Sequence, residues 1–309
     1  MRVVFLGSGS FAIPSLEALL AAGHDVAAVV TQPDREKGRG RALSPPPLKP
    51  VAAARGLKIL QPRRVREPES VAALRALAPE VQVVVAYGQI LPRSVIDLAP
   101  RGTINVHGSL LPRYRGAAPV QWAIVRGEAE TGVTTMLIDE GLDTGPLLLA
   151  ESTPIGPEET ADALEARLAR LGGDLLVRTL EGLEEGALVA RPQDASRATL
   201  APLIKKEDGL IDWTLPAEAL ARRVRGFHPW PGVYTSRQGR SLRVLSARAE
   251  AGAAALPGTL LAVDRDGLVV AAGDGTALRL LEVQPESRKP MPAAAFASGA
   301  RLAPGERLG

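Results

Sequence analysis

Residues 2–31 read RVVFLGSGSFAIPSLEALLAAGHDVAAVVT. Arg2 to Leu6 is an apolar run of strand length, and Gly7-Ser8-Gly9 turns the chain tightly. Ser10 can cap a helix from about Phe11 to Ala22, with Pro14 in a first turn that has no backbone N–H to lose. His24 to Thr31 then returns as a second strand. Strand, helix, strand of this kind opens a doubly wound sheet. The pattern G-x-G-x-x-A, with Asp34 some twenty residues on, has two readings. It matches a dinucleotide-binding fingerprint, and it equally serves a backbone that only needs a tight turn.

The rest of the chain extends this unit. Helices are predicted over Pro47–Arg55, Pro68–Leu77, Ala117–Arg126 and Glu158–Gly186. Val81 to Ala86 is a nearly unbroken apolar run, as in a central strand buried on both faces. Thr103–His107, Val133–Ile138 and Leu147–Pro154 are further strands. Residues 1–186 are therefore expected to form one α/β domain, Rossmann-like, on a doubly wound and mostly parallel sheet. Residues 187–206, with Pro192, Pro202 and many small residues, are predicted to be a linker. In residues 207–309 the pattern changes to short segments punctuated by Gly and Asp: Leu242–Ala249, Gly258–Val263, Leu268–Ala272 and Ala277–Val283. That spacing predicts a small β-barrel. The aromatic stretch 227–231, FHPWP, is read as domain packing rather than as a stacking surface.

Composition removes several chemistries. There is no Cys, so disulfides and thiolate nucleophiles are excluded, and the three His are scattered at 24, 107 and 228, so no metal site is expected. The N-terminus shows no cationic leader and no apolar run reaches membrane-spanning length, which predicts a cytoplasmic protein. Residues 205–309 carry 15 Lys and Arg against 11 Asp and Glu, whereas residues 1–204 carry 22 against 23. A mildly basic C-terminal part suits a polyanionic partner.

The chemistry concentrates in residues 103–116, TINVHGSLLPRYRG, which hold Asn105, the only Asn of the chain, and His107. Residues two apart on a strand share a face, so an amide and an imidazole converge at a strand's carboxyl end, where open α/β sheets place ligands. The alternative is an Asn in a turn beside a satisfied core His. Residues 132–146, GVTTMLIDEGLDTGP, bring Asp139, Glu140 and Asp143 in a Gly-flanked loop. A carboxylate reaching His107 would orient the ring and favour its charged form; otherwise Asp143 is a turn cap. At the end of the central strand, backbone groups of Tyr87-Gly88-Gln89 with Ile90 and Leu91 could hold a flat heterocycle, or could start a helix. Residues 32–47, QPDREKGRGRALSPPP, are too rich in Gly, Pro and charge for regular structure, and present Arg35, Lys37, Arg39 and Arg41. They suit phosphate contacts or a solvated connection.

NVHGSLLPRYRGAAPVQWAI followed by ETGVTTMLIDEGLDTGPLL resembles the signature of the folate-dependent formyltransferases, and the resemblance runs over nearly the full chain. It implies 10-formyltetrahydrofolate as co-substrate, no metal, and Asn105, His107 and Asp143 as the catalytic trio. It places the folate between residues 86–91 (Ala86, Tyr87, Gly88, Ile90, Leu91) and 139–143 (Asp139), with Ser109, Leu110, Leu111 and Pro112 at the edge. It implies that the Gly7 turn serves the backbone without binding NAD, and that the C-terminal barrel is OB-like. The motif is shared by formyltransferases of other amines, such as an amino sugar or a purine-pathway amine, but the basic loop and the barrel favour as acceptor the α-amine of methionyl-initiator tRNA, bound through Arg35, Lys37, Arg39 and Arg41 with a smaller share from Lys205 and Lys206. The protein is expected to be a monomer that contacts no membrane.

Overall fold

The computed structural model describes residues 1–37, 42–252 and 254–309. Strand β1 (Arg2–Gly7), helix α1 (Ile13–Ala21) and strand β2 (Asp25–Val30) form the opening unit. Two short strands, β3 (Arg35–Lys37) and β4 (Ala42–Ser44), pair antiparallel, with Glu36 opposite Leu43. This corrects the expectation of no regular structure over 32–47: strand pairing satisfies backbone groups whatever the side chains, and Arg35 and Glu36 remain exposed. Next come α2 (Leu48–Ala54), β5 (Ile59–Leu60), α3 (Pro68–Arg75), β6 (Val81–Val85), α4 (Arg93–Ile96) and β7 (Thr103–His107). They are followed by β8 (Arg115–Gly116), α5 (Pro119–Val125), β9 (Glu130–Leu137), β10 (Leu147–Pro154), α6 (Ala161–Glu184) and β11 (Leu200–Ala201).

The main sheet runs β10-β9-β7-β6-β1-β2-β5. Its five strands from β7 to β5 are parallel, β9 runs antiparallel to β7, and β10 runs antiparallel to β9. Every residue of β6 is buried, and full burial of a Val side chain contributes about 1.5–2 kcal/mol each. Gln82 is the polar exception in that strand. Its amide nitrogen donates to the Val95 carbonyl at 2.6 Å and the Thr103 hydroxyl at 2.9 Å, while its Oε1 has no partner among the described residues, so the cost of burying it is offset in part.

The chain packs as two compact units whose limits do not follow the expected boundaries 1–186, 187–206 and 207–309. One comprises residues 1–116, 130–154 and 165–201, the other 117–129, 155–164 and 202–309. The first unit thus takes in much of the predicted linker, and the second takes α5. After β11 the second unit continues with α7 (Ala217–Gly226), β12 (Val233–Arg237), β13 (Arg240–Ala251), β14 (Leu260–Asp264), β15 (Gly267–Ala271), β16 (Thr276–Pro285), β17 (Met291–Pro292) and α8 (Ala293–Ala300). Its antiparallel sheet, β12-β13-β16-β15-β14 with β17 beside β16, stands where the small barrel was expected. The core joins Leu220, Val224 and Phe227 of and after α7 to Leu242, Leu268 and Leu280 of the sheet. Trp122 of α5 meets Phe227 edge-on, ring centres 5.8 Å apart. Within the 227–231 stretch, Phe227 is a packing residue at 0 % exposure, whereas Trp230 is 57 % exposed.

Helix α6 lies against the main sheet through Gly172 and Gly173. A Cβ on Gly172 would stand 2.9 Å from a Val106 methyl and 3.3 Å from one of Val133; on Gly173 it would stand 2.9 Å from the Pro14 carbonyl oxygen. The close seat of the helix therefore depends on the missing side chains. Gly172→Val should lower stability by about 1–3 kcal/mol despite its better helix propensity, because overpacking outweighs propensity here. Urea unfolding measures this, and a midpoint equal to wild type would show that the helix can move away freely.

Candidate active site

The carboxyl ends of β1, β6 and β7 lie side by side at one edge of the sheet. On β7, Asn105 pairs opposite Met136 and His107 opposite Thr134, so the two share a face as the spacing predicts. The Asn105 side chain is half-buried and has no hydrogen-bond partner among the described residues. His107 is buried and its Nε2 lies 2.9 Å from the Tyr114 carbonyl oxygen. A carbonyl can only accept, so Nε2 carries a proton and Nδ1 is the edge left for chemistry. Nδ1 faces the Asp143 carboxylate at 3.7 Å, beyond direct hydrogen bonding but within reach of an ion pair.

Asp143 arrives there by a detour. Because β9 runs antiparallel to β7, its exit lies at the wrong end: the Ile138 N–H donates to the Thr103 carbonyl at 2.8 Å. The loop must then return four residues along β7, or about 13 Å at strand rise, to reach His107. Several contacts hold that return. Asp139 accepts from the Gly141 N–H at 3.0 Å and the Thr144 hydroxyl at 2.7 Å. The Gly116 N–H donates to Asp143 Oδ2 at 2.8 Å, and Asp143 itself sits in left-handed backbone at φ +52°. Gln193, in the predicted linker, donates from Nε2 to the carbonyls of Asp143 and Gly145, each at 2.8 Å. Asp139 thus closes its own loop in this structure.

The turn after His107 is pinned to β9. The Ser109 hydroxyl donates to the Arg113 carbonyl at 2.7 Å, which occupies it. The Thr134 hydroxyl donates to the Ser109 carbonyl at 2.7 Å and accepts from the Leu111 N–H at 3.1 Å. Leu111 is buried, while Leu110 and Pro112 are half-buried. In the 86–91 segment, Ala86 and Gly88 are exposed and take positive φ. The Tyr87 ring is sunk in the core, where burial pushes its hydroxyl up to about 12. Its carbonyl accepts from Ser8 Oγ at 3.1 Å and Gln32 Nε2 at 3.2 Å. Leu91, at the end of the first loop, and Ile138, at the start of the second, pack on the same core cluster as Tyr87. Each leaves a large apolar side chain in water, Ile90 at 93 % and Leu142 at 64 % exposure.

Of the predicted phosphate-binding side chains, Arg35 is exposed and donates to Gln32 Oε1 at 3.0 Å. Arg39, Arg41 and the side chain of Lys37 lie outside the described residues. Lys205 and Lys206 are exposed in the second unit. Asp34, the acid of the dinucleotide reading, already accepts from Lys49 at 2.8 and 2.9 Å and from Gln61 at 2.7 Å. The hydrogen bond from Gln61, then that from Lys49, holds its carboxyl below the ordinary range. It is therefore spoken for as a ribose partner.

Sequence reasoning missed Gln193, Thr134 and the Tyr114 carbonyl. None carries a signal in spacing or type: a Gln between Pro192 and Asp194 reads as linker, and a Thr inside a strand reads as strand.

Two sequence profiles match: "Formyl transferase" over residues 1–180 and "Formyl transferase, C-terminal domain" over residues 203–301. A methionyl-tRNA formyltransferase of Solibacter usitatus is 58 % identical, covering 100 % of this chain and 99 % of that protein. One of Geobacter sulfurreducens is 50 % identical, covering 100 % and 97 %. Among solved structures, HypX from Aquifex aeolicus in complex with tetrahydrofolic acid superposes with a TM-score of 0.66 at 19 % identity, covering 99 % of this chain and 48 % of that one. The sugar 3N-formyl transferase WlaRD, with dTDP and 5-N-formyl-THF, superposes at 0.68 and 16 % identity, covering 94 % and 99 %. These two likenesses concern the fold alone.

The Thr134 hydroxyl offers a direct check of how the turn is held. Thr134→Val keeps the shape but leaves the Leu111 N–H and the Ser109 carbonyl unpaired in a buried place, and should lower stability by about 1–3 kcal/mol. Thr134→Ser should restore most of it. Equal unfolding midpoints for the Val and Ser variants would show that neither bond holds the turn.

Proposed function

The chain belongs to the formyl transferase family, and from that premise we propose that it moves a formyl group from 10-formyltetrahydrofolate to the α-amine of methionyl-initiator tRNA, for translation initiation. Identity of 49–58 % across the chain's whole length to relatives of that name supports the choice of acceptor. At the level of chemistry, one observation carries the reading: an unpaired Asn105 amide shares a strand face with His107, whose free ring edge is turned to Asp143.

An aminoacyl amine titrates near pH 8, so roughly a tenth is neutral and nucleophilic at pH 7. Its attack on the formyl carbon moves charge onto the formyl oxygen. The Asn105 NH₂ can donate to that oxygen, a group of the kind that stabilises developing oxyanions. His107 Nδ1 can take the proton that the attacking nitrogen sheds, directly or through water, and the Asp143 carboxylate offsets the positive charge this creates. When the oxyanion re-forms the carbonyl, the bond from the formyl carbon to the folate N10 breaks, and the imidazolium returns its proton to N10, so that tetrahydrofolate leaves and the ring is neutral again. Nε2, fixed by Tyr114, keeps the ring from turning away. With no nucleophile needed on the protein, the occupied hydroxyl of Ser109 is no obstacle.

The folate would lie between residues 86–91 and 139–143, covering Ile90 and Leu142, with the backbone of Ala86, Tyr87 and Gly88 and residues 109–112 at its edge. The Tyr87 side chain, being sunk in the core, would contribute packing beneath the pocket only. The tRNA would engage Arg35, Lys37, Arg39 and Arg41, with Lys205 and Lys206 adding a smaller share. The protein would act as a monomer in the cytoplasm. Among the described residues, no helix is long and apolar enough to cross a membrane.

Steady-state formyl transfer from the folate donor to charged initiator tRNA tests the chemistry. Asn105→Ala, His107→Ala and Asp143→Ala should each lower turnover about 10²-fold or more, with little change in tRNA affinity. Near-normal turnover in one of them removes that residue from the trio.

The acceptor is tested separately, by tRNA affinity at several salt concentrations. Neutralising Arg35, Lys37, Arg39 and Arg41 together should flatten the slope of log affinity against log salt by up to about 3–4 units, since each phosphate contact contributes about 0.9. Folate binding should be untouched. An unchanged slope and affinity would make the loop a solvated connection and favour a small-amine acceptor.

A further inference from the structure

The return of the 138–146 loop to His107 is held mainly from one place, the segment 191–201. That segment is bonded into the first unit at three levels. At one end the Arg191 backbone exchanges hydrogen bonds with Leu147, at 2.8 and 2.9 Å. At the other, β11 pairs with β8, the Arg115 N–H donates to the Thr199 carbonyl at 2.9 Å, and the Tyr114 N–H donates to the Thr199 hydroxyl at 2.8 Å. Between them Gln193 bridges the two halves of the site. Its amide nitrogen holds the Asp143 and Gly145 carbonyls, and its amide oxygen accepts from Arg115 Nε at 3.1 Å and Nη2 at 2.7 Å. Arg115 immediately precedes Gly116, whose N–H holds the Asp143 carboxylate.

These bonds close a ring: Asp143 carboxylate, Gly116, Arg115, the Gln193 side chain, and back to the Asp143 carbonyl. The same 114–116 strand that orients Asp143 also carries the carbonyl that orients His107. One side-chain amide thus ties together the two backbones that set the separation of imidazole and carboxylate. Only an amide fits this role, because the position needs two donor bonds toward carbonyls and an acceptor toward a guanidinium.

We infer that Gln193 is a positioning residue for the reaction, acting through Asp143 and clasping its loop against the 114–116 strand. The inference rests on the reading of Asp143 as part of the catalytic trio. Gln193 itself bonds Asp143 at its backbone carbonyl and exchanges no proton with substrate. Its loss should let the carboxylate drift from His107, and a displacement of about 1 Å at a reacting group can cost up to about 10²-fold in rate.

The test is formyl transfer by the full chain, with kcat and KM for both substrates. Gln193→Met, which keeps the bulk and removes the bonds to Arg115 and to the Asp143 and Gly145 carbonyls, should lower kcat about tenfold while both KM values stay within about twofold. Asp143→Asn combined with Gln193→Met should be no slower than Asp143→Asn alone, because a residue that acts through Asp143 has nothing left to position. If Gln193→Met folds poorly, Gln193→Glu replaces it: the carboxylate keeps Arg115 but offers no donor to the carbonyls, and the same kcat loss is expected. Wild-type kcat in either folded variant, or a double variant slower by the product of the single effects, overturns the inference. Wild-type turnover in Asp143→Asn would overturn the catalytic reading beneath it. A slow Asp143→Asn with a fast Gln193→Met would overturn the positioning role alone.

Discussion

The hydrogen bond from the Gly116 N–H to the Asp143 carboxylate closes a gap that the sheet itself opens. An antiparallel β9 delivers its following loop beside Thr103, while the imidazole waits at the other end of the neighbouring strand. A carboxylate could reach His107 more simply from the end of a parallel strand. Here the chain instead turns back over β7 and is caught by donors from 114–116 and 193. The site's geometry is therefore a property of loops braced against one another, built on strands whose own register is fixed by burial.

That bracing has a visible cost. Three non-glycine residues at the site, Ala86, Tyr114 and Asp143, take positive φ, a region that costs an ordinary L-residue about 1 kcal/mol or more. The half-buried Asn105 amide has no partner among the described residues. The buried apolar strands offset these costs, with β6 and the inner halves of β1 and β2 almost wholly out of water. Helix α6 adds to this by lying close enough on the sheet to touch Val106, the residue between Asn105 and His107.

Much of this was legible in the sequence because the signals were local. Apolar runs located β1, β2, β6 and β7 within a residue or two, and the two-residue period put Asn105 and His107 on one face. Asp143 was legible as chemistry but not as geometry, since the direction of β9 is decided by pairing and leaves no mark in VTTMLI. The unit boundaries were legible only along the chain: helix α5 follows the signature loop, yet the apolar face of Trp122 packs on Phe227, more than a hundred residues later. Gln193 was illegible for a related reason. A residue that serves by bridging two distant turns owes its role to their meeting, and neither turn lies near it in sequence.

The interleaving of the two units bears on how such a chain can evolve. The polypeptide passes between units at 116, 129, 154, 164 and 201, so no single cut yields two self-sufficient halves. A recombination event in the 187–206 stretch would leave the Trp122 face of α5 with the first half and strip it of Phe227. New second domains grafted there would have to inherit a matching aromatic seat, or the first half would have to lose that face beforehand. Divergence of this architecture by substitution in place is thus easier than divergence by exchange of whole modules.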